Sequence, residues 1–188
     1  MKTGDATILM VPGYTNSPED HWQSRWQRKL KTAERVQQDD WHKPVLEEWV
    51  ASFLTSLRLT HKPVIIVAHS LGCQVVVQGA MQFDDLLKQK VRGAFLVAPP
   101  DVENENIKPR HLMTFGPYPR DPLPFPSIVV ASNNDPFCSA EVADDMAASW
   151  GSLFVNAGEQ GHINHKSGHG PWPEGLMVFS KFISKIKA

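Results

Sequence analysis

The sequence predicts one α/β domain with a mostly parallel sheet of about six strands and helices on both faces of the sheet. Short apolar runs alternate with amphipathic stretches along the chain, and most of the runs are continuous segments rich in Val, Ile or Leu. Parallel strands have this composition because crossover helices cover both of their faces. The length of 188 residues suits a single domain, which buries roughly 70% of its unfolded surface. Such a core needs neither a disulfide nor a metal.

The predicted strands are separated by amphipathic segments for most of the chain. In chain order they are residues 6–11, 34–38, 64–68, 93–98, 127–132 and 152–156. The second strand is the weakest because its residues are mostly polar. Right-handed crossovers place helices on both faces of such a sheet, and ligands bind at the carboxyl ends of its strands. Residues that follow a strand are therefore the candidates for chemistry.

The predicted helices show apolar residues three or four positions apart, as one helical face requires. They are residues 20–32, 44–59, 71–82, 140–150 and 175–186. Pro44 suits the first turn of the second helix, and Ser139 is a suitable N-cap for the helix that follows it.

The segment 101–126 is rich in proline, above all from Pro109 to Pro126. Proline fixes the backbone and removes an N–H donor, so this segment is predicted to be an irregular loop. Because it follows the strand 93–98, we expect it at the carboxyl edge of the sheet, as a rim of the active site. A surface connection without a role is the alternative.

Charge and cysteine content exclude several classes of protein. The formal net charge is −1 with scattered basic residues, which argues against a nucleic-acid binder. Two cysteines, Cys73 and Cys138, form neither a zinc pattern nor a disulfide framework. The apolar run near the N-terminus is too short for a signal peptide or a membrane span. We therefore expect a cytoplasmic protein that acts on a small molecule, with a protein partner as the alternative.

Ser70 is the candidate nucleophile. The segment VIIVAHSLGCQVVV places it between a buried strand and a helix, which is the setting of a nucleophile elbow. Small residues two positions before and after the serine let the strand and the helix approach closely. Ala68 stands where the common pattern has glycine, and it is still small. A helix N-cap is the structural alternative for Ser70.

Two later residues complete a catalytic triad with Ser70. A serine nucleophile needs a histidine base that a carboxylate orients, and in this arrangement the acid precedes the histidine along the chain. Asp135 follows the strand 127–132 and His162 follows the strand 152–156. Asp101, just past the strand 93–98, is the competing acid. Asp135 or His162 alone could be an ordinary loop residue, but together they occur in the order that the triad requires.

The remaining site residues are predicted from the loops after the first two strands. Backbone N–H groups of Leu71 and Tyr14 are the expected oxyanion donors, with Thr15 as the alternative to Tyr14. Gly13 permits close approach of the backbone, and Gly13, Trp41 and His42 are candidates for substrate binding. His111, His162, His165 and His169 raise a metal site as an alternative. Their spacing fits no known ligand pattern, so we expect no metal and no cofactor.

Several motifs resemble those of the retinoblastoma-binding-protein-nine-like and YdeN-like family of small α/β hydrolases. They are VPGYTNS, HWQSRW, DWHKP, AHSLG, SNNDPF and GHINHKSGHGPWPEG. The resemblance implies an α/β-hydrolase fold and a triad of Ser70, Asp135 and His162. The chain length of 188 residues leaves little room for a separate cap domain, so we expect none. Members of the family are serine hydrolases, some with esterase-like activity, and one branch is known for protein binding.

Two functions follow from the sequence. The first is hydrolysis of a small ester, thioester or amide through an acyl-Ser70 intermediate. The alternative is a protein-binding module that keeps the hydrolase fold with little turnover.

Overall fold

In a computed structural model of the chain, which describes residues 1, 3–107 and 109–186, helices cover both faces of one six-stranded sheet. The strands are Thr7–Val11 (β1), Ala33–Arg35 (β2), Val64–His69 (β3), Val91–Val97 (β4), Ser127–Ala131 (β5) and Leu153–Asn156 (β6). The α-helices are Trp22–Lys29 (α1), Leu46–Leu59 (α2), Leu71–Ala80 (α3), Asp85–Lys90 (α4), Ala140–Ser149 (α5) and Pro173–Lys185 (α6). Short 3₁₀ helices cover Thr3–Asp5, Arg110–Phe115 and His165–Ser167.

The sheet has the strand order β2-β1-β3-β4-β5-β6, and every neighbouring pair is parallel. The chain runs outward from β1 to β2, returns to β3 on the other side of β1, and then continues to β6 in one direction. The order therefore reverses between β1 and β3. In open α/β sheets a crevice forms at such a switch point, beyond the carboxyl ends of the strands.

Two hydrophobic cores lie on the two faces of the sheet. Successive residues of β3 alternate between them, so that Ile66 and Ala68 join one core while Ile65 and Val67 join the other. Buried residues of α2, α3, α4 and α5 belong to the first core, and those of α1 and α6 belong to the second. This alternation is the consequence of the two-residue period of a strand that is buried on both faces.

The elements differ from the predicted ones in a few places. The second strand ends at Arg35 instead of residue 38, and the short helix α4 lies between the predicted helix 71–82 and β4. The proline-rich segment contains the 3₁₀ helix Arg110–Phe115, whose Leu112 and Phe115 pack into the core shared with α2 and α3. This segment is therefore packed onto the domain. Within the described ranges, no helix has the length and apolar character needed to cross a membrane.

Candidate active site

Ser70 lies in a strained turn between β3 and α3. Its φ is 54° and its ψ is −130°, values that a non-glycine residue adopts only where the surrounding structure holds it. The Ser70 N–H donates to the Val97 carbonyl over 2.9 Å, and the Cys73 N–H donates to the Ser70 carbonyl over 2.8 Å. A Cβ at Gly72 would collide with the Val11 carbonyl oxygen. Glycine at this position therefore lets α3 begin directly against β1.

His162 and Asp135 form a hydrogen-bonded row with Ser70. His162 Nε2 lies 2.8 Å from Ser70 Oγ, and His162 Nδ1 lies 2.8 Å from Asp135 Oδ2. A carboxylate accepts hydrogen bonds, so the Nδ1 proton belongs to His162 and Nε2 is left to accept the Ser70 hydroxyl proton. The side chains of His162 and Asp135 are 8% and 2% exposed. The structure thus brings the three predicted residues together in the order that nucleophilic catalysis needs.

The loops that carry the acid and the histidine are tied to each other. Asn134 Oδ1 accepts from the Gly161 N–H over 2.6 Å, and Ser132 Oγ accepts from the Gln160 N–H over 2.8 Å. Asp135 Oδ1 also accepts from the Phe137 N–H over 2.9 Å. These contacts fix the position of each loop relative to the other, so the Asp135–His162 distance does not depend on their side chains alone.

His69 binds the backbone of the histidine that faces Ser70. His69 Nε2 donates to the His162 carbonyl over 3.0 Å, across 93 positions of sequence. The His69 side chain is buried, and this burial, together with the neighbouring His21 and His162, holds its pKa well below the ordinary value. The sequence does not indicate this role of His69, although His69 directly precedes Ser70, because its partner is recognisable only in the folded chain.

His21 is a second buried histidine beside the site that sequence analysis missed. Its ring lies 4.7 Å from that of His69, and its Nδ1 accepts from the Gln23 N–H over 3.1 Å as the N-cap of α1. Burial is the main reason that its pKa falls to about 3, with charges at His165 and Arg35 contributing. His21 is therefore neutral near pH 7, and its remaining proton is on Nε2.

Gly13 brings the loop after β1 against Ser70. A Cβ at Gly13 would lie 2.8 Å from Ser70 Cβ and 3.0 Å from the Leu71 nitrogen. Both separations are below normal van der Waals contact, so a larger residue would push the loop away. Gly13 is not among the described residues that line the cavity beside Ser70. Gly13 lets the loop approach Ser70, and its contact with a substrate stays a prediction.

The backbone N–H groups near Ser70 differ in whether they already donate a hydrogen bond. The Thr15 N–H donates to the Trp41 carbonyl over 3.0 Å, which leaves it unsuited to be the alternative oxyanion donor. In the described part of the chain, neither the Tyr14 nor the Leu71 N–H donates to another backbone carbonyl outside a helix. Leu71 is the first residue of α3, where an N–H has no partner within the helix. The predicted pair Tyr14 and Leu71 therefore remains available to an anion.

A cavity of about 280 Å³ opens beside Ser70. Pro109 and Leu112 of the proline-rich segment line it, so part of that segment does lie at the rim. Trp41 and His42 are absent from the described residues that line the cavity. Trp41 packs edge-on against Trp49 with ring centres 5.4 Å apart, and His42 is exposed. The Trp41 carbonyl accepts from the N–H of Thr15, a lining residue, over 3.0 Å, but the Trp41 ring packs against Trp49 instead of lining the cavity. A role of Trp41 and His42 in substrate binding stays a prediction.

The alternative acid and the alternative metal site can be judged from the same geometry. Asp101 Oδ1 accepts from the Glu103 N–H over 3.2 Å, and the His162 ring is paired with Asp135 instead. His169 Nε2 bonds with Gln160 Oε1 over 2.9 Å. Over the described ranges, no group of three or more His, Cys, Asp or Glu side chains is arranged to hold a metal ion.

Comparison with known proteins relates this geometry to a family. The model of the serine hydrolase family matches residues 8–181. YdeN of Bacillus subtilis (strain 168) is 23% identical over 186 residues, which cover 95% of this chain and 96% of YdeN. A YdeN-like hydrolase from Pectobacterium atrosepticum is 32% identical with a TM-score of 0.84, over 97% of this chain and 92% of that one. The B. subtilis ydeN product has a TM-score of 0.76 at 19% identity, over 96% and 100% of the chains.

These similarities bear on two predictions. The resemblance to YdeN-like hydrolases is confirmed, and its retinoblastoma-binding-protein-nine-like part stays a prediction. The α/β-hydrolase fold is confirmed by the parallel six-stranded sheet and by a shared fold with an α/β-superfamily hydrolase from Xanthomonas campestris, at a TM-score of 0.59.

Proposed function

Since this chain belongs to the serine hydrolase family, we propose that it hydrolyses a small carboxylic ester through an acyl-Ser70 intermediate. The observation that carries the proposal is the hydrogen-bonded row in which His162 Nε2 lies 2.8 Å from Ser70 Oγ and Nδ1 lies 2.8 Å from Asp135. A serine hydroxyl is a weak nucleophile by itself, and a base in this position activates it.

Acylation begins when Ser70 Oγ attacks the carbonyl carbon of the ester. The Ser70 proton moves to His162 Nε2, and Asp135 stabilises the imidazolium that forms. Negative charge develops on the former carbonyl oxygen, which the N–H groups of Leu71 and Tyr14 bind. The bond to the leaving alcohol then breaks, His162 returns the proton to the alcohol oxygen, and the acyl group stays on Ser70.

Deacylation repeats these steps with water as the nucleophile. His162 Nε2 takes a proton from a water molecule, whose oxygen attacks the acyl carbon. A second tetrahedral species forms in the same oxyanion site and collapses as the proton passes to Ser70 Oγ. The products are a carboxylic acid and the regenerated enzyme, and no cofactor takes part.

The size of the cavity supports a small substrate. Its volume of about 280 Å³ lies just below the roughly 300–1,000 Å³ range of ligand pockets. The fold also occurs in proteins named for ester and thioester hydrolysis, esterase 2 of Thermogutta terrifontis and the RedJ thioesterase of Streptomyces coelicolor. A short ester is therefore the first substrate to test, and a short thioester is the second.

The test combines covalent labelling with steady-state kinetics. A fluorophosphonate probe should label the wild-type protein at Ser70 and leave Ser70→Ala unlabelled. With 4-nitrophenyl acetate, Ser70→Ala and His162→Gln should each lower kcat by at least about 1,000-fold. Ser184→Ala is the matched control, because Ser184 is an exposed serine on α6. Labelling or hydrolysis that survives in Ser70→Ala would overturn the proposal, and a wild-type protein that neither reacts with the probe nor hydrolyses the ester would favour a binding module.

A further inference from the structure

We propose that the substrate carries a carboxylate, which binds in the cavity beside Ser70, whose lining includes His21, Asn164 and Lys166. This inference rests on the proposed ester hydrolysis at Ser70 and adds a class of substrate to it. Three independent features of the cavity support it: the charge of its lining, an arginine behind the loop after β1, and a buried N–H group without a partner.

The lining of the cavity has positive charge and no compensating carboxylate. Lys166 lines it, and none of the described lining residues is an aspartate or a glutamate. Asp135 lies behind His162 and is paired with it. No ion pair within the described ranges includes Lys166. An anion that enters the cavity therefore meets a cation and no like charge.

Arg35 adds a second positive charge close to the cavity. Its guanidinium donates to Asn16 Oδ1 over 2.8 Å, to Ser24 Oγ over 2.7 Å and to Gln27 Oε1 over 2.7 Å. All three acceptors are neutral, and none of the ion pairs found in the described part of the chain includes Arg35. No carboxylate is therefore in direct contact with the guanidinium, although Asp39 and Glu48 line the same outer groove as Arg35. Asn16, which accepts from Arg35, lines the cavity.

His21 supplies a hydrogen-bond donor that lacks a protein partner. The residue is 2% exposed and lines the cavity. Its Nε2 has no hydrogen-bond partner among the described residues, and this atom carries the ring proton because Nδ1 accepts from the Gln23 N–H. Buried polar groups in native proteins are nearly always paired, so an unpaired one needs an explanation. A substrate oxygen is one such partner.

The two lining residues that would bind the carboxylate, His21 and Lys166, come from two segments that meet at the cavity. His21 follows the loop after β1, and Lys166 lies on the 3₁₀ helix after β6. The rings of His21 and His165 lie 6.4 Å apart, which brings the two segments together. The other contributors include Pro100, Leu112 and Phe137, which are apolar. The cavity therefore fits an ester with a short apolar part and one carboxylate.

Two matched pairs of esters test the inference. The first pair is 4-nitrophenyl hydrogen succinate and 4-nitrophenyl butyrate, which differ in charge on the acyl side. The second pair is 4-acetoxybenzoate and 4-acetoxybenzamide, which differ on the alcohol side. The measured quantity is the ratio of kcat/KM for the anionic ester to kcat/KM for the neutral ester within each pair. In at least one pair, Lys166→Met should lower this ratio about threefold to fivefold, as expected for one exposed charge pair.

Lys181→Met is the matched control, because Lys181 is exposed on α6 and its loss changes the net charge by the same amount. This variant should keep the wild-type ratio. Raising the ionic strength from 0.05 M to 0.5 M should lower kcat/KM for the preferred anionic ester more than for its neutral partner. Ratios that Lys166→Met leaves unchanged in both pairs would overturn the carboxylate inference while ester hydrolysis stands. Hydrolysis that is independent of Ser70 would instead overturn the proposed function.

Discussion

Buried, neutral His21 should make the protein less stable in mild acid. In the unfolded chain a histidine has a pKa of about 6.5, whereas burial, more than its charged neighbours, lowers the pKa of His21 to about 3 in the folded protein. The folded pKa lies below the unfolded one, so the unfolded state binds the additional proton between these values. The stabilisation is therefore complete above pH 6.5 and is lost progressively as the pH falls toward 3.

The magnitude follows from the width of this window. Each pH unit within it costs about 1.4 kcal/mol of unfolding free energy. From about pH 6.5 down to pH 5, an interval of about 1.5 pH units, the unfolded histidine binds one proton that the folded one does not, so His21 alone should cost about 2 kcal/mol. Burial also lowers the pKa of His69, which adds to the acid sensitivity in the same direction.

Urea unfolding of the wild type and of His21→Asn at pH 7 and pH 5, followed by tryptophan fluorescence, measures this contribution. Asparagine is a good N-cap, so the variant keeps an acceptor for the Gln23 N–H while it removes the titrating ring. The loss of stability from pH 7 to pH 5 should be about 2 kcal/mol smaller in the variant. His61→Asn, at an exposed residue, is the control and should lose as much as the wild type. An equal loss in His21→Asn would refute the reasoning.

Two further substitutions probe the alignment of the site. Gly13→Ala would place a Cβ 2.8 Å from Ser70 Cβ and 2.9 Å from the His69 carbonyl oxygen, so we expect kcat for 4-nitrophenyl acetate to fall about 100-fold. Gly4→Ala is the control, because no atom lies within 4 Å of its new Cβ. A kcat of Gly13→Ala within threefold of the wild-type value would contradict this expectation. His69→Leu removes the donor to the His162 carbonyl and should lower kcat more than tenfold with KM within twofold, while His69→Gln should restore part of the rate. Equal rates in these two variants would mean that the hydrogen bond has no effect.

Much of the site could be predicted because the chemistry lies at strand ends that the sequence marks clearly. β3, β5 and β6 appear as separate apolar or mixed runs, and the residues just after them are Ser70, Asp135 and His162. The order of the three residues along the chain then provided a check that does not depend on any single motif.

The errors have physical causes that local sequence does not contain. The polar run 34–38 predicts a longer second strand than the one that forms, which ends at Arg35, and the loop after it packs the Trp41 ring against Trp49 of α2. The role of His69 depends on a carbonyl 93 positions away. The unpaired Nε2 of His21 depends on how two distant loops meet. None of these relations leaves a periodic or spacing signal along the chain.

The hydrogen bond from His69 to the His162 carbonyl has a consequence for local unfolding. His162 follows β6, which lies at the edge of the described sheet and pairs with β5, and elements at the edge of a structure open more readily than its core. β3, in contrast, pairs on both sides, with β1 and β4. Because a side chain at the end of β3 binds the backbone of His162, the base is anchored to the same interior strand that presents Ser70. Fraying that begins at the rim of the sheet must break this anchor before it can separate the base from the nucleophile.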